Sequence, residues 1–98
     1  MQIWKYPLEV TDVQDLLMPE GSEILSVQVQ LATACIWAMG DEHNLRVPRR
    51  IRIYGTGHPM QGPFGRFIGT FQIHHADSHL VFHVFEIPVE GSHAPNVL

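Results

Sequence analysis

Four arginines crowd seven positions of this chain: Arg46, Arg49, Arg50 and Arg52 make up most of its six Lys and Arg residues. Side chains alternate between faces along a strand, so Arg50, Arg52 and Tyr54 would share one face. Two guanidinium groups beside a phenol ring can grip phosphate or carboxylate oxygens while a planar base stacks on the ring. Directly after them comes Gly55-Thr56-Gly57-His58-Pro59, the start of an irregular stretch running to Pro63. Its backbone amides would add donors beside the arginines, as glycine-rich anion nests do. The candidate ligand contact is therefore Arg50, Arg52, Tyr54, Gly55, Thr56, Gly57 and His58, and its ligand an anionic, nucleotide-like small molecule. The competing reading is structural. The arginines would form a solvated strand face paired with Asp41, Glu42 or acids of a neighbouring strand, and the loop would be a rigid crossover. Neither known phosphate fingerprint fits: Pro63 stands where a Walker motif needs lysine, and no Rossmann helix can begin at His58-Pro59.

His74, His75, His79 and His83, with Asp77, form a second cluster of chemically capable groups. In a hairpin His74 and His79 would lie opposite each other, close enough to share a zinc ion. A third ligand would have to come from His75, Asp77 or His58, and no zinc-module spacing is present. No metal and no cofactor is indicated, with His74 and His79 the candidates if one binds. The serines lack a nucleophile elbow, and His58, the one histidine on the glycine-rich loop, has no carboxylate partner visible in the sequence. Enzyme status stays open, and the visible features favour binding.

The elements that must carry these residues are short and extended. Ile3 to Tyr6 reads as an edge strand closed by Pro7. Thr11-Asp12-Val13-Gln14 has capping-box spacing, but Pro19-Glu20-Gly21 limits it to one short helical turn. Glu23 to Leu31 alternates, placing Leu25, Val27, Val29 and Leu31 on one face, and Thr33 to Met39 is its hairpin partner. Asp41 to Pro48 reads as a polar loop and Arg49 to Tyr54 as the next strand. Arg66 to His74 and His79 to Ile87 flank a turn at residues 75–78, pairing Ile73 with Leu80, Phe71 with Phe82 and Gly69 with Val84 on a nearly apolar face. The other face pairs His74 with His79, Gln72 with Val81 and Thr70 with His83. A slip of one residue would mix the two sets. Five to seven such strands predict an all-β fold, a small antiparallel sandwich or barrel, in one domain over residues 1–88 with a frayed tail at 89–98.

Composition narrows the function classes. Ninety-eight residues, 45% hydrophobic and 16% charged, suffice for one core. The net charge of −4 argues against a surface built for nucleic acid, which remains a possible but disfavoured partner. Protonating all seven histidines would move that charge from −4 to +3, so solubility should dip near pH 6. No membrane span and no secretory leader is visible, and the single Cys35 has no disulfide partner, which together predict a cytoplasmic protein. Trp4 and Tyr6 on the edge strand would suit an interface, a homodimer included. With Glu9, Asp12, Asp15, Glu20 and Glu23 they offer an alternative acidic and aromatic surface for a protein partner.

Lys5-Tyr6-Pro7-Leu8-Glu9, Met18-Pro19-Glu20-Gly21, Ile24-Leu25-Ser26-Val27-Gln28, Ile53-Tyr54-Gly55-Thr56-Gly57-His58-Pro59, Gly69-Thr70-Phe71-Gln72 and Val81-Phe82-His83-Val84-Phe85-Glu86 together resemble a family of short proteins of unknown function from bacteriophages and bacteria. The likeness covers residues 4–87 and is most specific at residues 54–59. It implies a phage or bacterial intracellular setting, the host cytoplasm if phage-encoded, and brings no transferable active site. The reading that follows is a small phage-type protein that sequesters or blocks a host component in counter-defence. It would do so by holding an anionic ligand, or alternatively by a protein contact or metal-dependent hydrolysis at the histidines.

Overall fold

The computed structural model describes residues 1–89. Seven strands follow in chain order: β1 (Gln2–Pro7), β2 (Val13–Pro19), β3 (Glu23–Gln30), β4 (Thr33–Gly40), β5 (Arg46–Gly55), β6 (Arg66–His75) and β7 (Ser78–Ile87). They build two antiparallel sheets, ordered β1-β4-β3 and β2-β5-β7-β6, packed as a sandwich that does not close into a barrel. The all-β expectation is met, with no helix among the described residues and so none long and apolar enough to cross a membrane. The frayed tail expected from residue 89 falls almost wholly outside the described residues.

Alternation explains the core. β4 turns Ala34, Ile36 and Ala38 inward, β5 turns Ile51 and Ile53, and β7 turns Val84, where they meet Met18, Ile24, Val27 and Phe71. The approach is tight, since a β-carbon on Gly69 of β6 would come within 2.8 Å of Val27 Cγ1 on β3.

Three expectations need correction. Residues 13–19 form β2 and not a helical turn, because pairing along β5 from Val13–Arg52 to Pro19–Arg46 outweighs a local capping pattern. β5 begins three residues earlier than expected, at Arg46. Pro48 is tolerated there because this end of β5 pairs only with β2, β7 joining from Arg50 onward. In β3 the register shifts between Ile24 and Ser26. That bulge lets Ile24 and Val27 both reach the core and leaves Leu25 outside, 44% exposed, so Leu25 and Val27 do not share a face.

β1 is an edge strand, as expected. Trp4 lies opposite Ala38 and Tyr6 opposite Ile36, both inner-face residues, so the two rings turn toward the second sheet. The Arg46 guanidinium sits 5.9 Å from the Trp4 ring centre. Lys5 faces out and donates from Nζ to Gln30 Oε1 at 2.8 Å, strapping β1 to β3 over β4.

The β6–β7 hairpin has the expected register from Gly69–Val84 to His74–His79, with a bulge between Phe67 and Gly69. The β3–β4 turn is less ordinary. Leu31 (φ 51°) and Ala32 (φ 68°) are both left-handed, the geometry of a two-residue type I′ turn that favours Asn-Gly. Non-glycine residues there cost about 1–2 kcal/mol each. Finally, β5 and β6 are not neighbours, because β7 lies between them, so residues 56–65 must cross over β7. Gly65 ends this crossover against the sheet backbone, where a β-carbon would fall 2.1 Å from the Glu86 carbonyl oxygen.

Candidate functional site

The outer face of the four-stranded sheet carries the arginine strand and the crossover. Ile51 and Ile53 take the inner face of β5, so Arg50, Arg52 and Tyr54 point outward. A single cross-strand row runs Val13, Arg52, Phe85, Phe67.

The three outward residues have separate fates. Arg50 is opposite Asp15 and binds it twice, Nε to Oδ1 at 2.8 Å and Nη2 to Oδ2 at 3.0 Å. Chiefly through these hydrogen bonds, the guanidinium holds the Asp15 carboxyl below its ordinary value. Arg50 is therefore partnered within the sheet, with 38% of its side chain still exposed. Tyr54 is only 8% exposed despite its outer position, because the crossover roofs it. Its hydroxyl donates to the Gln61 carbonyl at 3.3 Å, and Phe85 meets its ring edge-on at 5.7 Å. It is a wall, without the open face that base stacking needs. Arg52 lies over that ring, 5.7 Å from its centre. Among the described residues it has no carboxylate within ion-pair distance, unlike Arg49, which binds Glu86, and Arg50.

The loop adds its own geometry. His58 N–H donates to the Gly55 carbonyl at 3.0 Å, closing a turn in which Gly57 takes φ 87°. Gly55 admits the His58 ring, whose Nδ1 would lie 2.8 Å from any β-carbon at that position. Thr56 pins the start of the crossover to β7: its N–H donates to the Val81 carbonyl at 3.1 Å, and its hydroxyl contacts His83 Nε2 at 2.7 Å. The other ring nitrogen of His83 contacts the Thr70 hydroxyl at 3.0 Å. His83 thus links the crossover to β6, a role with no local signal in the sequence.

These pieces enclose a pocket of about 160 Å³ lined by Asp12, Arg52, Tyr54, Gly55, His58 and Gln61. Of the residues singled out by sequence, Arg52, Tyr54, Gly55 and His58 are brought together here. Arg50, Thr56 and Gly57 are not among its lining. Asp12 and Gln61 are additions. Asp12 arrives from the β1–β2 connection, whose carbonyl accepts from Ile53 N–H at 3.1 Å, a contact no spacing announces.

His74 and His79 face each other as expected, ring centres 4.4 Å apart and perpendicular. Among the described residues no group of three His, Cys, Asp or Glu side chains is placed to hold a metal ion. His58 lines the Arg52 pocket.

No curated protein and no solved structure matches the chain. A family model described as Domain of unknown function (DUF7352) matches residues 1–94, and the chain belongs to that family.

Proposed function

We propose that this protein acts by stoichiometric binding, and that its contact is the pocket between Arg52 and the crossover. The ligand presents a small anionic group, phosphate or carboxylate, to the Arg52 guanidinium. The resemblance to phage proteins supports a role in sequestering or blocking a host component.

The observation that carries this reading is the contrast among the arginines. Arg49 and Arg50 are each satisfied by a carboxylate, whereas Arg52 rests on the Tyr54 ring at the pocket wall with no such partner among the described residues. A guanidinium held in place before binding loses less side-chain entropy when it meets an anion. The volume also sets the size of what enters. Pockets that bury whole small molecules run to about 300–1,000 Å³, so a space of about 160 Å³ takes one group and leaves the rest of the ligand outside. Asp12 on the wall contributes a negative charge, which favours a singly charged group over a multiply charged one.

The test is a calorimetric titration of a carboxylate and phosphate series, mononucleotides included, against the wild type and the Arg52→Ala variant. Binding that weakens by about tenfold or more in Arg52→Ala, with an unchanged melting temperature, supports the site. Equal binding by both proteins, or none across the series, removes it.

A further inference from the structure

We propose that the flank formed by the edge strands β3 and β6 is a self-association surface, on which the Leu31–Ala32 turn of one copy seats in the cleft between β3 and β6 of another.

Four observations converge on this flank. The first is charge. From Ile24 to Gly40 the chain has no Asp, Glu, Lys or Arg, and from Phe67 to Phe85 it has Asp77 alone. Two copies of a protein with net charge −4 repel, and under two-fold symmetry each charge near the axis meets its own like, so a self-contact demands a charge-free patch. The other two edges are guarded: β1 carries Lys5 and Pro7, β2 carries Asp15 and Pro19. Such residues block strand-edge pairing, and between Ile24 and Gln30 of β3, or Phe67 and His75 of β6, there are none.

The second is the open end of the sandwich. β3 and β6 approach closely at Val27 and Gly69, then leave a cleft of about 460 Å³ between Val27–Val29 and Thr70–Gln72. Val29 lines this cleft and remains 40% exposed, although it continues the inward-facing row of its strand. The third is the turn beside this cleft. Leu31 is 95% exposed and left-handed, where Asn-Gly would relieve the backbone and expose no apolar surface. A protruding apolar turn beside a recess can seat in its copy's recess under a two-fold axis, where Val27, Val29 and Phe71 offer apolar contact among Gln28, Thr70, Gln72 and His74. The fourth is area. A standard interface takes about 800 Å² from each partner. β3 and β6, 8 and 10 residues long, span about 27–34 Å, so together with the protruding turn and the side chains their flank supplies a substantial part of that area.

The experiment is sedimentation equilibrium of the full 98-residue chain from about 1 μM to about 1 mM, on the wild type and three variants. A wild-type dimer is expected. Leu31→Asn with Ala32→Gly should weaken it by about tenfold or more while leaving a folded monomer, because the replacement suits the turn. Gln72→Lys, placing a charge on the β6 edge, should do the same, and Gln2→Lys on β1 should have no effect. A wild type monomeric throughout, a dimer indifferent to both flank variants, or equal weakening by Gln2→Lys would overturn the proposal.

Discussion

Arg49 grips Glu86 with two guanidinium nitrogens, Nε on Oε2 and Nη2 on Oε1, and its Nη1 donates to the Ser22 carbonyl at 2.8 Å. Both side chains are largely withdrawn from solvent, 19% and 16% exposed. One cation thereby ties β5 to β7 and to the β2–β3 turn. Glu86→Gln should cost about 3 kcal/mol, since it leaves a partly buried guanidinium unpaired. Replacing both partners, Arg49→Met with Glu86→Leu, should recover most of that loss. Urea unfolding measures both, and a loss under about 0.5 kcal/mol for Glu86→Gln would mean that solvent already screens the pair.

The Arg50–Asp15 pair makes a different prediction, about pH. Because Arg50 lowers the Asp15 carboxyl below its ordinary value, the native state binds that proton less readily than the unfolded chain does. The stability it supplies is complete above the unfolded carboxylate range, about pH 4, and disappears as the pH falls through the lowered native value. Urea unfolding from about pH 2 to pH 7 should therefore show wild type and Asp15→Asn converging at the acid end and separating modestly toward neutrality. A separation that grows on acidification would contradict the assigned direction.

Two glycines with left-handed backbones separate steric need from conformational need. Gly57 (φ 87°) has open space where a β-carbon would go, so Gly57→Ala should cost only the backbone term, about 1–2 kcal/mol. Gly65 (φ 68°) has the Glu86 carbonyl 2.1 Å from that position, and its alanine variant must also push the crossover off β7, for a loss of about 3 kcal/mol or more. Thermal melts of the two variants rank them directly, and equal shifts would show that the crossover does not need its close seat.

The β6–β7 pairing was legible in the sequence because its two faces differ in kind: a slip of one residue would set Phe71 and Ile73 among the histidines. β2 was not, because a four-residue capping pattern is local while the evidence for a strand lies on β5, some 35 residues away. The β3 bulge has no glycine or proline to announce it, so Leu25 read as a core residue. At the site, the shared face of Arg50, Arg52 and Tyr54 follows from alternation alone. What became of each depends on Asp15, Gln61 and Phe85, which chain folding delivers from elsewhere. Spacing finds faces; it does not find partners across a sheet.

The position of β7 bears on how the molecule assembles. Among the described residues it is the last strand in chain order and yet lies in the interior of its sheet, between β5 and β6. During synthesis β2 and β5 can zip together, and the β1-β4-β3 sheet can form, while β6 has no neighbour to pair with. The slot is filled only when residues 78–87 follow, and the crossover then settles over them. The Arg52 pocket, whose roof is that crossover, is thus among the last features to take shape, and a nascent chain arrested before Ser78 would lack the strand over which that roof settles.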